Sequence, residues 1–274
     1  MAITAADVAK LRKMTAAGMM DCKKALEEAN GDFERAVEII REKGKLVAAK
    51  RADRDATEGV VLAKVTDNKK YGAIVTLNCE TDFVAKNADF VQFAQSILDI
   101  ALANKPSDLE ALKGLKLDGR PIKEVITEQI GVIGEKIDLS YFQFVEGDSC
   151  VAYIHPGNKL ASLLSFTGEI SDEAAKDVAM QTAAMAPVGI DKDDVPADVV
   201  EKELEIAREK AKAEGRPENM LDKIAQGRLQ KFFQESTLLN QEFVKEGKIT
   251  VREYLAKNAP VAKVKGMKRF SLND

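Results

Sequence analysis

The sequence predicts an α+β protein. It has an N-terminal three-helix bundle, two related α+β core subdomains with small antiparallel sheets, and an antiparallel helical hairpin inserted in the second. Three observations predict this. Residues 1 to about 44 carry helix caps and apolar residues at helical spacing, with no period-two run. From Gly59 the pattern turns to short apolar runs split by polar turns, and the order strand, turn, strand, connector, helix occurs twice. Beyond Pro196 almost every residue is a helix former, with one break at Gly215-Arg216-Pro217.

The chain has 274 residues, 45% hydrophobic and 31% charged, enough for two or three modules. A net charge of -4 lacks the chain-wide basic footprint of a nucleic-acid binder. With no Trp and only 4 Tyr, platforms for stacking bases are also lacking. Cys22, Cys79 and Cys150 are odd in number and unpaired in spacing, as expected of reduced, buried thiols in a cytoplasmic protein. The start, Met1 to Asp7, has no basic head with an apolar segment behind it, and no window approaches a membrane-spanning length. A soluble chain that is not exported is the expectation.

Thr4 with Asp7 three residues later makes a capping-box start, Asp in place of the usual Glu. Val8 and Leu11 fall on one face of the helix that follows, which Gly18 breaks. Asp21 to Ala29 is the second helix, closed by Asn30-Gly31. Asp32 caps the third, striped by Phe33, Val37, Ile39 and Ile40 and closed by Gly44. So small a bundle buries a marginal core, so residues 1–45 read as a docking module of the size and pattern of ubiquitin-associated domains. Residues 46–57, charged and Ala-rich, read as a solvated linker.

Residues 58–147 form the first core subdomain. Val60 to Val65 and Tyr71 to Leu77 flank a polar turn and read as a hairpin. Ala88 to Ala103 is a helix capped by Asn87. Gly114 to Pro121 is a loop, Ile122 to Ile133 a helix ended by Gly134, and Ile137 to Val145 a strand. Residues 148–274 repeat the syntax. Ser149 to Ile154 and Leu160 to Thr167 are strands about the turn His155 to Lys159, and Ser171 caps a helix to about Met185. A hairpin of helices occupies about 196–236, since three residues between two helices leave only an antiparallel return. Val261 to Leu272 comes back as a last strand.

The stretch that stands apart is Thr81 to Lys86, a turn between the second strand and the Asn87-capped helix. Such turns face solvent and often carry function. Asp82-Phe83 sets a carboxylate beside a large aromatic, and the pair reads two ways. Phe83 either packs under the helix as a staple or is offered outward as an apolar wedge with a charge beside it.

Chemistry of the usual kinds is not written in the chain. The Gly of a phosphate-cradling loop is missing five residues before each Gly-Lys pair, where Ile39 and Glu242 stand. The one histidine, His155, sits in a turn, and with three scattered cysteines it does not make a zinc site of ordinary ligand count. Asp191-Lys192-Asp193-Asp194 starts like a calcium loop, but Val195 takes a ligand position. The expectation is no enzyme and no cofactor. Two rivals are an adaptor built on the N-terminal bundle and a hydrolase using Cys79 or Cys150.

Two stretches resemble one family. Leu11-Arg12-Lys13-Met14-Thr15-Ala16-Ala17-Gly18-Met19-Met20-Asp21-Cys22-Lys23-Lys24-Ala25-Leu26 is similar to the first signature of bacterial elongation factor Ts, and Leu77 to Lys86 to its second. The resemblance covers nearly the whole chain and implies a guanine-nucleotide exchange factor for elongation factor Tu in the cytoplasm. It implies that Thr81, Asp82, Phe83 and Val84 displace Mg²⁺ from the partner. It implies that Lys23, Ile133, Gly134, His155, Phe243 and Val244 touch the partner. The bundle would be the docking module and the hairpin a coiled-coil arm. The same resemblance leaves room for a homodimer through the core or the hairpin, with no direct nucleic acid and no membrane as partners. Some members carry a further C-terminal helical module; the expectation here is a chain without it.

Overall fold

The capping box forms as the spacing predicts. In the computed structural model, which describes residues 3–274, the Asp7 N–H donates to Thr4 Oγ1 at 3.2 Å and the Thr4 N–H donates to the Asp7 carboxylate at 3.0 Å. Met1 and Ala2 of the predicted bundle lie outside the described residues. The box opens α1 (Ala5–Thr15), whose Val8 and Leu11 are buried. The helix stops before Gly18, with Ala16 left-handed at φ 56°. Gly18 instead takes extended backbone and caps α2 (Met19–Glu28). Asn30 and Gly31 are both left-handed, and the Gly31 N–H reaches back to the Leu26 carbonyl at 2.9 Å, the expected stop. The Asp32 carboxylate accepts from Glu34 N and Arg35 N and starts α3 (Phe33–Lys50).

The third helix corrects one expectation: Gly44 does not end it. The helix runs on to Lys50 through part of the predicted linker. Gly44 lies instead at a close crossing of two helices. A Cβ on Gly131 of α7 (Ile122–Ile133) would lie 2.4 Å from the Gly44 Cα. The side-chain-free position the crossing needs is Gly131, since a Cβ on Gly44 would make an ordinary contact of 3.7 Å with the Gly131 Cα.

The hairpin forms as β1 (Glu58–Val65) and β2 (Tyr71–Cys79), and β5 (Asp138–Glu146) completes a sheet of order β1-β2-β5. The middle strand is buried along all nine residues, which is why β2 reads as a continuous apolar run. After it come α4 (Asp82–Ala85), α5 (Ala88–Asn104) and α6 (Leu109–Gly114). Two short strands, β3 (Lys116–Leu117) and β4 (Arg120–Pro121), pair across Asp118-Gly119 where a loop is expected. Both turn residues have positive φ, the requirement of a tight two-residue hairpin.

A second antiparallel sheet has order β6-β7-β8, from β6 (Ser149–Ile154), β7 (Leu160–Thr167) and β8 (Lys263–Ser271). Between β7 and β8 come α8 (Asp172–Met185), capped by Ser171, then α9 (Ala197–Ala213) and α10 (Leu221–Ser236). The last two pack on each other through Ala207, Ala211, Ala225 and Leu229, mostly small residues that let the backbones approach. Ion pairs Arg208–Asp222 and Arg228–Glu214, each 2.7 Å, cross between them. The final helix, α11 (Val251–Asn258), opens on a Thr250–Glu253 capping box whose Thr-x-x-Glu spacing is legible in the sequence.

By internal contacts the chain divides into Met1–Leu62, Val75–Gln143 and Leu272–Asp274 as one unit, and Ala63–Ile74 with Phe144–Ser271 as the other. Leu11, Leu26 and Cys22 centre the core of the N-terminal helices. Phe166, Val178 and Phe243 belong to the core of the second unit. Among the described residues no helix is long and apolar enough to cross a membrane.

Candidate functional site

The Thr81–Lys86 turn is a single helical turn held from below. Thr81 is extended at φ -123°, and its Oγ1 accepts from the Val84 N–H as the cap of α4. The Thr81 hydroxyl donates to Glu135 Oε1 at 2.6 Å. The N–H groups of Glu80 and Thr81 donate to Glu135 Oε2 at 3.1 and 3.0 Å. Glu80 returns the arrangement: its Oε1 accepts from the Lys136 N–H at 2.6 Å and from Arg51 at 2.7 Å. The Cys79 thiol donates to the Thr81 carbonyl at 3.2 Å. Three segments thus fix one turn: the end of β2, residues 135–136 behind α7, and the last turn of α3.

On this base Phe83 points outward, with 83% of its surface exposed. The staple reading therefore fails. Ala85 is the buried residue of α4, and Val84 is half-buried. Asp82 pairs with Lys86 at 2.5 Å, one helical turn on, and that bond raises the Lys86 pKa. The Lys136 N–H, and after it Arg51, holds the Glu80 carboxyl below the usual glutamate range. Because the folded value is the lower one, this stabilisation is whole above the ordinary glutamate pKa. It is lost as pH falls through the lowered value.

Glu80, Glu135, Lys136 and Arg51 are the residues that sequence reasoning misses. Glu80 lies inside the second signature, but Glu135 and Lys136 are 54 or more residues away from the groups they bond, Thr81 and Glu80, with no local pattern to link them. Their only signal is position: they follow Gly134, whose left-handed backbone at φ 79° ends α7 and turns the chain toward the site. Ile133 and Gly134 are half-buried beside them in sequence. Lys23, in the same unit, is exposed on α2 and 3.7 Å from Glu27. Truncating Glu135 to alanine leaves two N–H groups without their acceptor, at a local cost of about 1–3 kcal/mol. We expect faster amide exchange at Glu80 and Thr81 in Glu135→Ala; unchanged protection there contradicts the clamp.

The remaining predicted positions lie in the second unit. His155 is exposed, its Nδ1 3.0 Å from the Tyr153 hydroxyl. Val244 is exposed, and its N–H donates to the buried Gln181 Oε1 at 2.9 Å. Phe243 corrects an expectation: only 1% is exposed, with its ring stacked on Tyr254 at 4.2 Å. It is a core residue, and Val244 is the outward side chain of the pair. All three cysteines are buried. Burial pushes the Cys79 thiol up to about 12 and Cys150 up to about 11, so neither is an activated nucleophile.

The family model described as elongation factor TS matches residues 80–274. Elongation factor Ts of Porphyromonas gingivalis (strain W83) is 54% identical over 274 residues, covering 100% of this chain and 99% of the relative. That of Amoebophilus asiaticus is 54% identical over 272 residues, covering 98% of each. That of Bacteroides thetaiotaomicron is 43% identical over an alignment of 329 positions, covering 99% of each.

Proposed function

The chain belongs to the elongation factor Ts family, and from this premise we propose that it is the guanine-nucleotide exchange factor of elongation factor Tu. It binds the GDP complex, disturbs the Mg²⁺ site and lets GDP leave so that GTP can enter. The observation that carries the reading is Phe83, a large aromatic 83% exposed on a turn fixed by seven hydrogen bonds of the residues named above. An exposed ring on a rigid mount has little freedom to lose on binding, so most of its burial energy reaches the complex.

The mechanism needs no bond made or broken in this chain. A GTPase holds its nucleotide through Mg²⁺, a P-loop and ordered switch segments. Thr81, Asp82, Phe83 and Val84 present the wedge: Thr81 caps it, Asp82 braces Lys86, and Phe83 with the edge of Val84 enters the partner. Shifting the metal-binding elements weakens the hold on phosphate. The effect is a coupling free energy: the factor prefers the nucleotide-free partner, and nucleotide equally weakens the factor.

Helices α1 to α3 act as the UBA-like docking module, with Lys23 at the contact. Ile133, Gly134, His155 and Val244 supply contacts from the core. The α9–α10 hairpin serves as a coiled-coil arm, available to the partner or to a second copy of the chain. This protein works in the cytoplasm, where its partner translates. The test is release of fluorescent GDP from purified elongation factor Tu, with and without this protein. Acceleration at substoichiometric amounts is expected, and an unchanged spontaneous rate refutes the reading.

Lys23 tests the docking part. Its pair with Glu27 is a surface i,i+4 pair and holds it weakly. We expect Lys23→Ala to weaken binding about fivefold at low salt, the scale of about 1 kcal/mol for an exposed charge pair. The deficit should shrink as salt screens the contact. An unchanged dissociation constant at low salt contradicts the assignment.

A further inference from the structure

We propose that Arg51 is a positioning residue of the exchange reaction: it ties the docking helices to the wedge, so that seating the first sets the second. The inference rests on the exchange reading above. Arg51 is the residue that ends α3, the helix whose other end belongs to the N-terminal bundle. Its guanidinium donates to Glu80 Oε1 at 2.7 Å, next to the first N–H of the wedge turn. The same Glu80 oxygen accepts from the Lys136 N–H. The Lys136 ammonium turns back and donates to the carbonyls of Ala52 and Arg54, 2.8 Å each.

The result is a closed ring of contacts. It runs from Arg51 to Glu80, from Glu80 to Lys136, and from Lys136 to the two carbonyls that follow Arg51 in the chain. The side chains of Arg51 and Glu80 are 33% and 16% exposed, so the pair is shielded more than a surface ion pair and is less screened by salt. A charge-assisted bond of this kind also fixes direction. At its other side the ring meets Glu135, which holds the Glu80 and Thr81 N–H groups. A displacement of the end of α3 is therefore passed to Thr81 and to the ring two residues on. The predicted linker is not a slack connector at this point.

The experiment uses the full chain carrying Arg51→Ala, Arg51→Lys, and Arg51→Ala with Phe83→Ala. Amide exchange of residues 80–86 in the free protein should quicken about tenfold in Arg51→Ala, the scale of one charged hydrogen bond. In GDP release from elongation factor Tu, the maximal stimulated rate should fall by about the same factor. The concentration giving half-maximal effect should stay within twofold. Arg51→Lys should recover most of both effects. Once Phe83 is alanine, adding Arg51→Ala should slow release no further, which a merely structural loss would not reproduce. Wild-type amide exchange and wild-type maximal rate in Arg51→Ala overturn the proposal. So do fully additive losses in the double variant. Should the wild-type chain fail to release GDP at all, the exchange reading falls. The amide-exchange arm then decides by itself whether Arg51 orders the turn.

Discussion

Phe83→Ala is expected to slow factor-stimulated GDP release by roughly thirtyfold, while the protein itself unfolds at an unchanged temperature. The magnitude follows from the usual cost of truncating a central interface aromatic, about 2 kcal/mol or more. The unchanged stability follows from exposure. With 83% of its surface in water, the ring gives the free fold almost nothing, and surface truncations fall within about ±0.5 kcal/mol. The two expectations together separate the ring from every buried residue near it. Removing Cys79, Ala85 or Glu135 contacts would alter the turn and the exchange rate at once. Stopped-flow release and thermal unfolding on the same preparation check this pair. A variant that exchanges normally, or one that loses its rate only because it unfolds, contradicts the wedge role.

Gly131→Ala should destabilise the protein, and its sign is the informative part. In an ordinary exposed helix, Gly to Ala gains about 0.5–1 kcal/mol, because alanine loses less freedom on folding. At Gly131 the added methyl would sit 2.4 Å from the Gly44 Cα, and the atom it meets is backbone, which cannot turn aside. The helices α3 and α7 must separate, at a cost of about 1–3 kcal/mol. Separation also strains the bond between Arg51 and Glu80 at the end of α3. Gly227 in α10 is the control, since a Cβ there meets nothing within 4 Å. Gly227→Ala should stabilise while Gly131→Ala destabilises, read by thermal unfolding and by protease cleavage near residues 45–57. Stabilisation in both variants would mean that the glycine crossing does not hold these helices together.

What could be read from the residues alone divides along physical lines. Local chemistry was legible: Thr4 and Asp7, Asn30-Gly31, Asn87, Ser171 and Gly134 are caps and stops whose partners lie within a few residues. So were the strand pairs, because a continuous apolar run between polar turns leaves few alternatives. Gly44 reads as a stop because a glycine at a helix end and a glycine at a helix crossing look the same in one dimension. Only Gly131, 87 residues on, distinguishes them. The Phe83 choice between staple and wedge was open for the same reason, since exposure depends on what else covers the turn. The burial of Phe243 was not legible either. The resemblance marked its position as a contact, but the ring fills the space against Tyr254 and leaves Val244 outside. The Glu80–Glu135 clamp was invisible because it joins parts of the sequence that no periodicity relates. The α11 capping box, by contrast, is local and legible in the Thr250-x-x-Glu253 spacing.

The role of the ring is tested most directly by measuring GDP release against free Mg²⁺ for the wild-type chain and Phe83→Ala. If the ring works by unseating the metal, the gap between the two should be widest at millimolar Mg²⁺. It should close toward equal rates once a chelator has removed the metal. A gap that stays the same size with and without Mg²⁺ would show that Phe83 acts on something other than the clamped ion.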